Sequence, residues 1–167
     1  MMRRAAAYIA FFISALQACG QKTFDEKLES LYNHTVPVIA PEALFELQKE
    51  ASGNLFILDT RSEEEYKVSF IHAARFVSYK NFNRQDVSHI PKDAKVVVYC
   101  SVGYRSEKIG EKLTDMGYKD VLNLYGGIFL WKNKGNKVFN HQNMPTDSVH
   151  TYNKSWSKWL KTGTKVY

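Results

Sequence analysis

A chain of 167 residues, 44% hydrophobic and 24% charged, has the balance of a globular domain and enough apolar material for its own core, which excludes a disordered or fibrous chain. Its 23 basic against 17 acidic residues leave a formal charge of +6, a mild excess that suits small anionic substrates or an anionic lipid surface. There is no Lys/Arg block, internal repeat or low-complexity tract, so the composition argues against nucleic acid as a partner.

The chain opens with Arg3 and Arg4, then an apolar stretch from Ala5 to Leu16 broken only by Ser14. That stretch is short of the ~20 apolar residues of a spanning helix and reads as a secretory signal. Leu16-Gln17-Ala18-Cys19-Gly20 follows and resembles the bacterial lipobox, with Gln17 standing where a small residue is usual. The resemblance implies a signal peptide over 1–18, cleavage before Cys19, a lipid anchor on its thiol, and a place in the bacterial cell envelope facing the periplasm or the exterior. An uncleaved anchor and ordinary secretion are the alternatives. The chain has two cysteines, so lipidation of Cys19 leaves Cys100 without an intramolecular partner. A lone thiol in an oxidising compartment is either inert and buried or kept for chemistry.

Residues 19–35 are polar and charged and read as a tether with some helix near Lys27 to Tyr32. The folded unit is expected over 36–138. It begins with a short strand, Val36 to Ile39, and Pro41 then opens a helix that Gly53-Asn54 stops. Leu55-Phe56-Ile57-Leu58 is an unbroken apolar run, as expected of a parallel strand covered on both faces. Ser62, followed by Glu63, Glu64 and Glu65, reads as a helix start with acids at the positive dipole end. Phe70 to Val77 is a loop leading into a short strand, and Pro91-Lys92-Asp93 is a turn. Lys95-Val96-Val97-Val98-Tyr99 is the strongest strand pattern in the chain. Ser106 to Met116 is amphipathic and helical, Val121 to Leu124 is a strand, and Gly126-Gly127 opens a last helix through Trp131. Strands alternating with helices make the class α/β, one domain with an open, mainly parallel sheet flanked by helices. Residues 139–167 form a C-terminal extension, expected to pack on the domain through a short helix carrying Trp156, Trp159 and Leu160.

The stretch that carries chemistry is Cys100-Ser101-Val102-Gly103-Tyr104-Arg105. Cys100 falls at the carboxyl end of the strongest strand and just before a helix, where open α/β sheets bind ligands. Backbone N–H groups converging in such a loop, with a helix dipole behind them, stabilise negative charge, and the thiolate is the nucleophilic form of cysteine. Gly103 supplies the backbone freedom to close the loop, and Arg105 a permanent charge with a fork suited to oxyanions. A buried core cysteine would explain a Cys ending a strand, but not a Gly and an Arg at these positions beyond it.

Cys100-x-x-Gly103-x-Arg105 resembles the active-site loop of the rhodanese-like sulfurtransferases. Leu58-Asp59-Thr60-Arg61 with Glu64, Glu65 and Tyr66 is similar to the family's Asp-x-Arg…Glu-Tyr segment. His72-Ala73-Ala74 stands where the family has a Gly-His-Ile-x-Gly-Ala turn, here without both glycines. Leu124-Tyr125-Gly126-Gly127, Trp131 and Gly135 match its closing pattern. The resemblance covers about Val36 to Val138 and implies the rhodanese-like fold. It also implies a Cys100 persulfide that moves a sulfane sulfur from thiosulfate or a persulfide donor to a thiophilic acceptor. Four residues lie between Cys100 and Arg105, the sulfur-sized loop of the family rather than the one-residue-longer loop of the related phosphatases.

On this reading Cys100 is the catalytic group, and Ser101, Val102, Gly103, Tyr104 and Arg105 form the substrate-binding loop. Arg105 binds the anionic donor or fixes the loop. Asp59, Arg61 and His72 are supporting residues, Asp59 and Arg61 with Glu65 as an internal ion pair, and Gly126 and Gly127 allow a tight turn near the loop. No metal, zinc included, and no other cofactor is expected, since the five His show no ligand spacing and no nucleotide motif is present. Partners are small sulfur-containing anions, a thioredoxin-like or other thiol acceptor, and a membrane reached through Cys19. A persulfide carrier without turnover and an envelope redox module remain as alternatives to an enzyme.

Overall fold

The computed structural model describes residues 23–50 and 53–167. The segment expected to be a signal peptide, and Cys19, lie outside the described residues. Among the described residues no helix is long and apolar enough to cross a membrane.

The first element is α1, Phe24–Glu29. Thr23 and Glu26 cap each other reciprocally at its start, an arrangement that satisfies two otherwise orphaned amides. The segment expected to be a tether is, from this point on, part of the core. Leu28 is fully buried and Tyr32 nearly so, both in the main apolar cluster. The composition is misleading here because an amphipathic six-residue helix needs only one buried face.

β1 (Val38–Ile39) leads into α2 (Pro41–Lys49), with Pro41 in the first turn. Next come β2 (Leu55–Asp59), α3 (Glu63–Val68) and β3 (Ala74–Phe76). A 3-10 turn, Arg84–Val87, precedes β4 (Lys95–Tyr99). The domain continues with α4 (Tyr104–Asp115), β5 (Asp120–Leu124) and α5 (Gly127–Asn133). The five strands form one fully parallel sheet in the order β1-β5-β4-β2-β3. β4 lies at its centre, in register from Lys95 against Leu55 to Tyr99 against Asp59. Alternation along β4 divides the core. Val97 and Tyr99 join the cluster with Leu44, Leu124 and Phe129, whereas Val96 and Val98 join the one with Ile109, Leu113 and Val121. Burial on both faces is why this strand reads as an unbroken apolar run.

The C-terminal extension packs on the domain, but through strands. β6 (Val138–Phe139) pairs antiparallel with β7 (Pro145–Thr146), and β8 (Ser148–His150) pairs parallel with β9 (Thr164–Val166). Of the expected helix only a 3-10 turn, Ser157–Trp159, is present. Trp159 stacks on Phe24 of α1 at 5.3 Å and Leu160 is fully buried, so the two ends of the described chain meet.

Candidate active site

Cys100 follows β4 directly and is 1% exposed, on the floor of a cleft of about 620 Å³. Three neighbours shape its loop. The first is α5. Ile128 N–H donates to the Cys100 carbonyl (2.9 Å) and Phe129 N–H to that of Ser101 (3.2 Å). In a trans peptide the N–H points opposite to the C=O, so the amides of Ser101 and Val102 are turned away from α5. This close approach requires Gly127: with φ at +54°, a Cβ there would stand 2.3 Å from the Cys100 carbonyl oxygen.

The second neighbour is Tyr32. Its hydroxyl donates to the Val102 carbonyl (2.7 Å) and accepts from Gly126 N–H (3.0 Å), tying the loop to the start of α5. Burial raises the Tyr32 pKa further, so the hydroxyl stays protonated as a donor. Gly103 sits against it with φ +103°, where a Cβ would meet the Tyr32 oxygen at 2.0 Å. The third neighbour is Asn123 on β5. It donates to the Gly103 carbonyl (3.0 Å) and accepts from Ser106 Oγ (2.7 Å), all buried. With the Val102 carbonyl of the same peptide held by Tyr32 and its own carbonyl held by Asn123, Gly103 directs its N–H to Cys100 Sγ at 3.1 Å.

Arg105 makes a two-pronged ion pair with Glu65 of α3, Nη1 to Oε2 at 2.7 Å and Nη2 to Oε1 at 2.8 Å. Ser101 Oγ donates to the same carboxylate (2.7 Å) and accepts from Arg105 Nη2 (3.0 Å). Glu65 also caps α3 reciprocally with Ser62. Burial alone would raise the Glu65 pKa, but hydrogen bonds and charge from Arg105, with Arg61 nearby, bring it down to about 2. Burial works likewise against the charge on Arg105, and Glu65 more than offsets it, raising that pKa.

The supporting residues divide. Arg61 pairs with Asp59, Nη2 to Oδ2 at 2.6 Å, and donates to the Ser69 carbonyl, both side chains fully buried. Their pair braces the turn from β2 into α3, while Glu65 is committed to Arg105. His72 is not among the residues lining the cleft. It is exposed, with its ring edge-on to Phe139 at 5.1 Å. The turn that lacks both glycines puts Ala73 at φ +61°, a left-handed value that costs a non-glycine residue on the order of 1–2 kcal/mol. Tyr104 is 43% exposed at the cleft wall. Gly126 (φ +68°) has no room for a Cβ, which would fall 2.4 Å from that of Leu130.

Tyr32, Asn123, Tyr152 and Trp156 were not singled out by sequence reasoning for this site. An asparagine inside the apolar strand Val121-Leu122-Asn123-Leu124 was a readable signal, since a buried amide needs partners. The other three join the site through long-range packing that leaves no local pattern.

Comparison with known proteins agrees with this geometry. A family model described as Rhodanese-like domain matches residues 42–134. Two curated relatives named tRNA uridine(34) hydroxylase are similar over part of the chain. That of Streptococcus thermophilus is 39% identical over 43% of this chain and 24% of its own length. That of onion yellows phytoplasma is 33% identical over 54% of this chain and 30% of its own. This chain therefore spans less than a third of those relatives. Among solved structures, a Bacillus halodurans protein superposes with a TM-score of 0.59 at 20% identity, covering 70% of this chain and 85% of that one. A rhodanese-related protein of Thermoplasma volcanium gives 0.53 at 25% identity, covering 61% and 96%.

Proposed function

This chain belongs to the rhodanese-like domain family, and from that premise we propose that it is a sulfurtransferase in which Cys100 carries a sulfane sulfur as a persulfide. The observation that carries the proposal is the Gly103 N–H aimed at Cys100 Sγ from 3.1 Å, in a loop whose carbonyls are drawn to the opposite side by α5. That arrangement stabilises negative charge on the nucleophile and on a sulfur attached to it. The Cys100 thiolate attacks the outer sulfur of thiosulfate or a persulfide. The donor's S–S bond breaks, and sulfite or a thiolate leaves with the electron pair. A thiophilic acceptor, such as a thioredoxin-like thiol or cyanide, then attacks the outer sulfur and releases the Cys100 thiolate. Arg105 holds the loop through Glu65 and Ser101.

The hydroxylase activity named for the curated relatives belongs to longer proteins. What is proposed for this chain concerns the shared cysteine-loop domain alone. In the same reading Cys19 bears the lipid anchor that its Leu16-Gln17-Ala18-Cys19 context suggests, and the domain works at a membrane surface. A persulfide carrier of low turnover is the second reading, favoured by the pairing of Arg105 with Glu65, which leaves the loop's one cation already matched.

The test is intact mass before and after exposure to a sulfane-sulfur donor. A gain of one sulfur atom, removed by cyanide and absent from Cys100→Ser, is expected. No gain while Cys100 remains open to alkylation would overturn the proposal. A stable gain with no multiple turnover would select the carrier.

A further inference from the structure

The cleft above Cys100 is larger than sulfur transfer from a small anion requires. Its volume of about 620 Å³ falls within the ~300–1,000 Å³ of sites that enclose organic molecules of drug size. Three of its lining residues come from chain outside the family match at 42–134. Leu31 stands just after α1, and Tyr152 and Trp156 belong to the C-terminal extension. Phe76 and Tyr79 add further aromatic lining.

Tyr152 is presented to this space at a cost. Its φ is +64°, yet its side chain is 56% exposed and gains little packing in return. The backbone is held there by Tyr152 N–H donating to His150 Nδ1 (3.0 Å) and by Thr151 N–H donating to the Val166 carbonyl (2.8 Å). The ring lies 5.5 Å from the Arg105 guanidinium, next to the loop. Strained backbone of this kind gathers at ligand clamps.

The charges disfavour a small dianion as the main occupant. Asp59 already neutralises Arg61, and Glu65 neutralises Arg105. The remaining charged residues described in the lining are Glu63 and Glu64 against Lys80. Thiosulfate therefore meets no surplus positive charge among the described lining residues, whereas a body of low charge meets aromatic faces.

We infer that the sulfur donor is a small organic persulfide, R–S–SH, whose R group is apolar or aromatic and of low net charge, and that Tyr152 and Trp156 seat it and set the specificity. The inference rests on the persulfide reading above. Cys100 thiolate attacks the outer sulfur, and the bond between the donor's two sulfurs breaks with its electron pair on the inner one. The products are Cys100–S–SH and R–S⁻, which takes a proton from water. No external oxidant or reductant enters.

The test follows loading of Cys100 by intact mass in the full chain in detergent, with benzyl persulfide and with thiosulfate, for the wild type, Tyr152→Ala, Tyr152→Phe and Trp156→Ala. The wild type should load faster, at equal low donor concentration, with benzyl persulfide. In Tyr152→Ala the ratio of the two second-order loading rate constants should fall at least tenfold through weaker donor binding, and Tyr152→Phe should keep it. Tyr152 is exposed, so that variant remains informative if Trp156→Ala fails to fold. Loading by both donors with a ratio indifferent to Tyr152, or a wild-type preference for thiosulfate, overturns the inference alone. Failure of both donors to load an alkylatable Cys100 overturns the persulfide reading and this inference with it.

Discussion

Arg105 and Glu65, forty positions apart, face each other through two hydrogen bonds of 2.7 and 2.8 Å, and this pair joins the cysteine loop to the capped start of α3. The arginine that the loop motif offers to a substrate thus serves first as a structural tie. Because the pair is largely buried, losing one partner leaves the other's charge uncompensated.

Arg105→Ala should therefore lower stability by about 3 kcal/mol. Arg105→Lys should recover less than half of that, since an ammonium does not match both carboxylate oxygens. Urea unfolding checks this, and a stability loss under 1 kcal/mol in Arg105→Ala would refute the tie.

Acid should reach the same pair. The Glu65 carboxyl has a folded pKa of about 2 against an ordinary 4.5. A depressed carboxyl pKa contributes stability that is complete above the ordinary value and is lost as pH falls toward the folded one. Unfolding midpoints should fall between pH 4.5 and 2, and Glu65→Gln should flatten that part of the profile.

Gly127→Ala should damage the site through space alone. The added methyl meets the Cys100 carbonyl oxygen at 2.3 Å on a backbone with φ +54°. Strain and crowding together should amount to about 2–4 kcal/mol. Persulfide loading should drop at least tenfold in whatever fraction folds. Loading at the wild-type rate would show that α5 does not shape the loop.

Tyr32→Phe removes one oxygen and leaves the Val102 carbonyl and the Gly126 N–H without their partner. The expected loss is about 1–3 kcal/mol, with faster alkylation of Cys100 as the loop loosens. An alkylation rate equal to that of the wild type would mean the hydroxyl is dispensable.

Much of this architecture was open to reading from the sequence. Cys100, Gly103 and Arg105 belong to one short loop, Gly126 and Gly127 to one turn, and β4 is apolar throughout because both its faces are covered. Tyr32 was hidden for the opposite reason. It stands in a polar stretch, and its partners lie 70 and 94 residues away. The Glu65 capping box was legible as a helix start, but its bonds to Arg105 and Ser101 depend on how α3 meets the loop. The extension misled because Trp156, Trp159 and Leu160 have helical spacing. β8, however, finds its partner β9 beyond them, with Ser148 opposite Thr164, and only a 3-10 turn remains between. Nothing local announces Tyr152, whose place beside Arg105 follows from that pairing.

The Tyr32 bridge also joins parts of the chain that are made at different times. Synthesis proceeds from the N-terminus at ~5–20 residues per second, so Tyr32 and Cys100 are both made before Gly126, the residue that completes the bond. For a time on the order of seconds the growing chain holds Cys100 without Gly126. A fragment of the chain that ends before Gly126 therefore holds a cysteine but not yet a site.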